Sequence, residues 1–419
     1  MQNELERAGF EIESGVASLP TAFVASYGSG HPVIGIVALL DALPGLSQEK
    51  FVTERRPTSP GGAGHGCGHN LIGAADLGAV LAVKQAIDDH SLPGTVRFFG
   101  APAEEIYHGG VYMARDGVFD DVDALLFWHP STVTTVITRS GLAMDSIRFV
   151  FHGLASDATD AAAKGINALA AAYQLSTAAE REKALWPEDA VLNHVLVEGG
   201  TIPSIVPERA VLWFFLHARD REAVHTLRGR LHELAEETAQ KTRTRVEMQI
   251  LSSTRPWLIN KSIAGLLHEH LEEEPTPEST QAERELADAL RLAFDVEGEP
   301  RFFEGTLPPV YTDERVLISD DTAEASWIAP RGGFLVACFP LGVPSHTWQW
   351  TTSASSSFAH NGMMRAARTV AKTALELMTD RDALEIARRE FEAARGDVIY
   401  ESPLPAELRP FDYLKPRPR

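Results

Sequence analysis

Gly64-His65-Gly66-Cys67-Gly68-His69-Asn70 runs directly into an almost wholly apolar stretch, residues 71–87. Such a stretch predicts a buried helix, and the glycines ahead of it permit a tight turn. Cys67 and His69 sit two residues apart in that turn. A thiolate and an imidazole so placed can reach one metal ion. Alone the pair is a weak signal, because cysteine and histidine near glycine are ordinary. Its meaning depends on what surrounds it.

Upstream, residues 33–40 (Pro-Val-Ile-Gly-Ile-Val-Ala-Leu) form a continuous apolar run that ends at Asp41. A run of that kind predicts a strand buried on both faces. Downstream, residues 94–100 predict a second strand, which leads into Glu104 and Glu105. A short helical piece at about 109–117 follows, then a strand at 123–128 ending in His129-Pro130. Strands alternating with helices predict a mainly parallel sheet. In such sheets the loops at the carboxyl ends of the strands build the active site. Asp41, Glu104, Glu105 and His129 all fall at such ends.

Near residue 143 the texture changes. Strands at 146–151, 190–198, 208–216 and 245–251 alternate with helices at 159–182 and 221–241. That β-α-β-β-α-β order has ferredoxin-like size and reads as an insertion. Residues 272–282 read as an exposed acidic loop. The first texture returns after residue 331, with a buried strand at 334–339, a loop holding His346, then His360 and a helix at 363–378. The expected fold is α/β: a catalytic domain with a mixed, mainly parallel sheet at 1–142 and 256–419, and an inserted α+β lid at 143–255. A lid of this kind exposes a sheet edge, which predicts pairing as a homodimer.

The chain has 419 residues, enough for two domains. Its net charge of −20 comes with no basic block, which argues against nucleic acid or an anionic membrane as partner. No signal peptide is expected from the acidic first seven residues, and no membrane-spanning run is expected either. With only Cys67 and Cys338, a disulfide scaffold is excluded and a cytoplasmic location is expected.

Cys67, His69, Glu105, His129 and His360 are donors of the kind that bind zinc, manganese, cobalt or nickel. Glu104, beside a ligand, is the natural general base for a water activated by the ion. Each residue has an ordinary reading taken singly: a solvated loop carboxylate, a histidine in a surface turn, a polar helix end. Their joint placement at sheet ends is much harder to explain that way.

Seven stretches carry a family resemblance: residues 41–48, 64–70, 102–105 (Pro-Ala-Glu-Glu), 117–123, 128–130 (Trp-His-Pro), 346–349 (His-Thr-Trp-Gln) and 359–360 (Ala-His). With them the chain resembles the aminoacylase/carboxypeptidase-G family of metal-dependent hydrolases, in its aminobenzoyl-glutamate hydrolase branch, where cysteine replaces an aspartate ligand. The resemblance implies a metal-binding catalytic domain with a dimerising lid. It implies Cys67, His69, Glu105, His129 and His360 as ligands of one or two Mn²⁺ or Zn²⁺ ions, with Glu104 as base. Three departures bear on substrate. A lid histidine that stabilises the oxyanion is replaced by Asp157, the usual lid asparagine falls at Ser204 and the usual lid arginine near His217. Leu39 stands where relatives carry an acidic residue.

An anionic Asp157 would oppose the charge of an amide transition state, so the sequence favours a different reaction. It predicts hydrolysis of an aryl amine on a small aromatic acid, 5-nitroanthranilate-like, with release of ammonia, as in aromatic compound catabolism. The alternative is an amidase for aminobenzoyl-glutamate or a similar aromatic amide. A third reading is a catalytically dead binding protein. Asp157, His346, Arg139, His108 and Asp41 are the candidate substrate contacts.

Overall fold

The computed structural model describes residues 1–414. Its strands are β1 (Glu11–Ser14), β2 (Phe23–Ser29), β3 (Val33–Leu39), β4 (Gly94–Ala101), β5 (Ala124–Ser131), β6 (Thr135–Val136), β7 (Ala143–His152), β8 (Val191–Glu198), β9 (Arg209–Ala218), β10 (Arg245–Thr254) and β11 (Arg331–Ala337). Its helices are α1 (Gln2–Arg7), α2 (His69–His90), α3 (Gly109–Arg115), α4 (Ala168–Lys183), α5 (Arg221–Thr242), α6 (Lys261–Glu273), α7 (Gln281–Arg291), α8 (Trp348–Ser353), α9 (Ser357–Thr379) and α10 (Arg381–Arg395).

One unit comprises Met1–Arg139, Leu258–Asp313 and Glu324–Glu401. Its sheet has the order β1-β2-β4-β3-β5-β11-β6. The four central strands are parallel, and the pairs toward both edges are antiparallel. All seven residues of β3 are buried, which is why that stretch is apolar without alternation. α2 packs on α9 and on β3 and β4. By length and composition α2 is apolar enough to cross a bilayer, contrary to the expectation that no run would be. Here it is a core helix, and residues such as Leu71, Ile72, Val80 and Val83 are fully buried.

The other unit comprises Ser140–Trp257, Glu314–Ala323 and, among the described residues, 402–414. Its sheet, β10-β7-β9-β8, is wholly antiparallel. Ile147, Phe149 and Phe151 on β7 and Leu212, Phe214 and Leu216 on β9 alternate onto one face. There they pack with Leu175 of α4 and Leu231 of α5. This is the ferredoxin-like inserted lid.

The lid is more than the single insertion at 143–255. Residues 314–323 and the segment from Ser402, assigned from sequence to the catalytic domain, belong to it. The Arg148 guanidinium donates to the Tyr413 carbonyl at 3.3 Å and lies 5.0 Å from its ring centroid, fastening the late segment to β7. α4 begins at Ala168 rather than near 159. Asn167 is its N-cap, accepting from Ala170 N–H at 3.0 Å. The Asp157 carboxylate instead caps a local turn, accepting from the Thr159 and Asp160 N–H groups at 2.7 and 3.1 Å. The stretch read as an acidic loop ends in a helix, α7, which Thr280 and Glu283 start with a capping box.

Candidate metal centre

Three tight backbone segments converge at the carboxyl ends of the parallel strands. The first is the glycine turn. Gly68 is the N-cap of α2 with φ +81°, a left-handed value that favours glycine. A Cβ there would lie 2.7 Å from Pro130 Cγ and 3.0 Å from Phe339 Cζ. Cys67 and His69 flank it, and both are buried.

The second segment is the Glu104–Ile106 turn after β4. It is bracketed by Ala103 and Tyr107, both left-handed at φ +58°. Non-glycine residues in that region are strained, and such strain gathers at functional sites. The third is the loop after β11. His346, at φ +61°, donates its N–H to the Gly66 carbonyl at 2.8 Å, which docks this loop onto the cysteine turn. Thr347 then caps α8, and Trp350 stacks on Phe339 with ring centroids 3.8 Å apart.

These segments and the end of β5, which carries His129, bring six side chains together. Cys67 Sγ lies 3.4 Å from His129 Nε2. His69 Nε2 faces Glu104 Oε2 at 3.8 Å and Glu105 Oε1 at 4.0 Å. Glu105 Oε2 is 3.4 Å from His346 Nε2. Three overlapping groups could each hold an ion: Cys67, His69 and His129; Cys67, Glu105 and His346; His69, Glu104 and Glu105. Within each, the ligand atoms lie within 4.8 Å of one another.

The donors suit a divalent ion. His69 Nε2 and Glu105 Oε1 are buried without a hydrogen-bond partner. Leaving a buried polar atom unsatisfied costs about 1–3 kcal/mol, which a cation would relieve. His129 donates from Nδ1 to the Pro130 carbonyl at 2.7 Å, which fixes Nε2 as the bare nitrogen facing Cys67. Burial, then the Glu105 and Glu104 carboxylates, pushes the Cys67 thiol well above its ordinary range. Burial, with His69 nearby, lowers His129 to about 3. An added cation reverses the pressure on the thiol and suits a neutral imidazole.

Of the expected donors, the structure brings Cys67, His69, Glu105 and His129 together, beside Glu104. His346, read as a substrate contact, stands among the donors. His360, read as a ligand, does not: it joins none of the three groups among the described residues. It lies in the first turn of α9, where Phe358, Ala359 and Gly362 face inward, and the helical period leaves His360 exposed.

Asp41 and His108, read as substrate contacts, are engaged with the protein's own groups. Asp41 stands behind His69, with Oδ1 3.3 Å from His69 Nδ1 and Oδ2 accepting from Glu105 N–H at 3.0 Å. His108 is fully buried, donates from Nδ1 to the Ile106 carbonyl at 2.7 Å and stacks on Tyr112. Burial lowers it to about 4. Arg139 is half-buried at the end of the first unit's opening segment and joins no donor group among the described residues. Asp157 belongs to the lid, where its carboxylate is bound to its own turn.

Residues 38–303 match the model of peptidase family M20/M25/M40. A p-aminobenzoyl-glutamate hydrolase subunit of Escherichia coli is 32% identical over 435 residues, covering 98% of this chain and 90% of that one. The crystal structure of an aminobenzoyl-glutamate utilization protein from Klebsiella pneumoniae superposes with a TM-score of 0.56 at 17% identity, covering 91% of this chain and 90% of that chain. A dinuclear metal-binding peptidase of the M20 family from Bacillus subtilis gives a TM-score of 0.52 at 19% identity, covering 90% of each.

Proposed function

The chain belongs to peptidase family M20/M25/M40 and is a metal-dependent hydrolase of carbon–nitrogen bonds, and on that premise we propose that it cleaves the amide of an aromatic acyl–amino acid such as aminobenzoyl-glutamate. One observation carries the reading. Glu104 sits inside the donor cluster of a chain that aligns over 98% of its length with a subunit of an aminobenzoyl-glutamate hydrolase.

Cys67, His69, Glu105, His129 and His346 would hold the ion or ions. Cys67 is shared between the group with His69 and His129 and the group with Glu105 and His346, which suits a pair. The mixed sulfur, nitrogen and oxygen donors suit zinc or manganese. When bound, the ion supplies polarisation of the scissile carbonyl and a lowered pKa for water. Glu104, 9% exposed, takes the proton of the attacking water and delivers it to the leaving nitrogen. His346 is the exposed member of the cluster.

Aryl amine hydrolysis becomes the second reading, since the relatives named above are amide or peptide hydrolases. What favours it is Asp157. Its carboxyl is held below the ordinary range by the Thr159 and Asp160 N–H groups, so it is ionised and has no proton to donate to an oxyanion. Incubating the metal-loaded protein with p-aminobenzoyl-glutamate and with a nitro-substituted aminobenzoate separates the two. The amide reading expects glutamate from the first and no ammonia from the second. The reverse pattern would replace it.

For assembly, we propose a homodimer through the lid. β8 is an edge strand, and Val195, Leu196 and Val197 on it are exposed. An apolar unpaired edge invites a second copy. A monomer by light scattering at micromolar concentration would reject this.

A further inference from the structure

We infer that Gln349 is a catalytic residue of this site, its side-chain amide donating a hydrogen bond to the scissile carbonyl oxygen as negative charge builds there. The inference rests on the proposed amide reading and deepens it.

Gln349 ends the His346-Thr347-Trp348-Gln349 stretch, of which the site described so far uses only His346. It lies in the first turn of α8, where Thr347 is the N-cap. Only 5% of Gln349 is exposed. Its backbone carbonyl accepts from the Ser353 hydroxyl at 2.7 Å. Among the described residues, no group hydrogen-bonds its side-chain amide. Buried amides are ordinarily paired, and leaving one unpaired costs about 1–3 kcal/mol. A substrate group would relieve that cost. The direction of the side chain follows from the helix. Helical side chains lean toward the N-terminus, over the residue three or four positions earlier. Three positions before Gln349 stands His346, whose Nε2 is 3.4 Å from Glu105 Oε2. The Gln349 amide is therefore carried toward the donor cluster. Its neighbours hold α8 in that orientation. Trp350 stacks on Phe339 and donates its indole N–H to the Val343 carbonyl at 2.8 Å, and the Thr352 hydroxyl donates to the Glu49 carbonyl at 3.0 Å.

The chemistry asks for a donor of this kind. Water adding to the amide carbon pushes the carbonyl π pair onto oxygen. The proton taken by Glu104 goes to the leaving nitrogen as the carbon–nitrogen bond breaks and the pair returns. While that oxygen is charged, a fixed hydrogen-bond donor lowers the barrier. Asp157, whose carboxylate caps its own turn, has no proton for the task. The ion donors present lone pairs. A glutamine amide carries two N–H donors and does not ionise. It gives a hydrogen bond and transfers no proton.

Gln349→Met keeps the length of the side chain and loses the donor. Gln349→Glu keeps its shape and replaces the NH₂ group by oxygen. In the full-length, ion-loaded protein, calorimetry measures binding of a phosphinate analogue of aminobenzoyl-glutamate, which presents tetrahedral anionic oxygens in place of the carbonyl. Chelator competition reads Zn²⁺ and Mn²⁺ affinity, and thermal unfolding of the ion-free forms checks folding. Both variants are expected to lose about 10²–10³-fold in analogue affinity and in kcat on aminobenzoyl-glutamate, the usual cost of removing one such donor. KM should change little, and Gln349→Met should keep the ion affinity of the wild type.

Analogue affinity within about twofold of wild type in either folded variant would overturn the inference. So would a raised KM with unchanged kcat, which marks a contact made equally in the ground state, or a tenfold loss of ion affinity in Gln349→Met, which marks a structural role. If Gln349→Met does not fold, Gln349→Glu decides alone. If the wild type binds the analogue but cleaves no amide, the amide reading fails while the analogue comparison still judges Gln349. A wild type that binds no analogue overturns both.

Discussion

Gly68→Ala probes the turn that sets the spacing of Cys67 and His69. Two costs add. At φ +81° an alanine is left-handed, at about 1–2 kcal/mol. Its Cβ would also lie 2.7 Å from Pro130 Cγ and 3.0 Å from Phe339 Cζ, against an ordinary carbon contact of about 3.5–4.0 Å. Neither neighbour yields easily. Pro130 is part of β5, opposite Val336 of β11, and Phe339 is stacked on Trp350. Overpacking of this kind costs about 1–3 kcal/mol. The sum is about 2–5 kcal/mol, a large share of the roughly 5–15 kcal/mol that holds a typical domain together. Gly78→Ala is the control. It lies in the same helix, with no atom within 4 Å of the added carbon and no positive φ, so the change should stabilise by about 0.5–1 kcal/mol. Urea unfolding of the ion-free proteins, with unchanged slope, reads both. A Gly68→Ala midpoint within about 0.5 kcal/mol of wild type, the usual spread for a neutral surface substitution, would refute the argument.

Glu104→Gln should bind ion and substrate normally yet lose about 10²–10⁴ in kcat, and a near-normal rate would move the base elsewhere. His346→Ala should lose ion affinity, while His360→Ala should stay close to wild type by the same chelator competition. Because the buried Cys67 thiol is held well above its ordinary range, capturing an ion through its thiolate expels a proton; affinity should rise about tenfold per pH unit between about pH 6 and 8, and Cys67→Ala should flatten that slope. Asp76 lies fully buried on α2, and burial pushes its carboxyl well up against a smaller opposing effect of the Trp128 indole. Its native proton contributes stability that is complete below the unfolded carboxyl pKa and is lost as pH rises, so Asp76→Asn should match wild type near pH 3 and exceed it at pH 7. Every tenfold change in the proton's affinity between the folded and unfolded chain is worth about 1.4 kcal/mol, read by urea unfolding at the two pH values.

Much of the frame was legible because its causes are local. The uniform burial of β3 writes itself as an unbroken apolar run, and the glycine turn before α2 is visible as glycines. Glu104 and Glu105 could be placed because they follow β4 directly, where parallel sheets put their chemistry. What was missed depends on partners far away in sequence. The short edge strands β1 and β6 carry too few residues to show a period. The return of the chain from Ser402 to the lid rests on contacts such as Arg148 with Tyr413, separated by 265 residues. Asp157 looked like a substituted catalytic residue because position alone was readable. Its use as a turn cap depends on the Thr159 and Asp160 amides folding back on it.

His346 stands in the donor cluster and His360 does not, and the reason lies in the topology. Both histidines lie beyond β11, and both stand near a helix start, so residue type and local context rank them equally. Topology separates them. β11 runs parallel to β5, with Leu335 opposite His129, so the loop leaving β11 emerges beside the end of β5, where His129 already stands. His346 is within that loop. His360 comes only after the chain has turned through α8 and entered α9. There the requirement to bury Phe358 and Ala359 fixes the rotation of the helix and sends His360 outward. The hydrogen bond from His346 N–H to the Gly66 carbonyl completes the placement, and the glycine at 66 lets it form. A Cβ on Gly66 would stand 2.5 Å from Leu46 Cδ1 and 3.2 Å from the Thr347 carbonyl. The same glycine-rich turn thus holds Cys67 and His69 in place and receives the backbone of the loop that brings His346 to them.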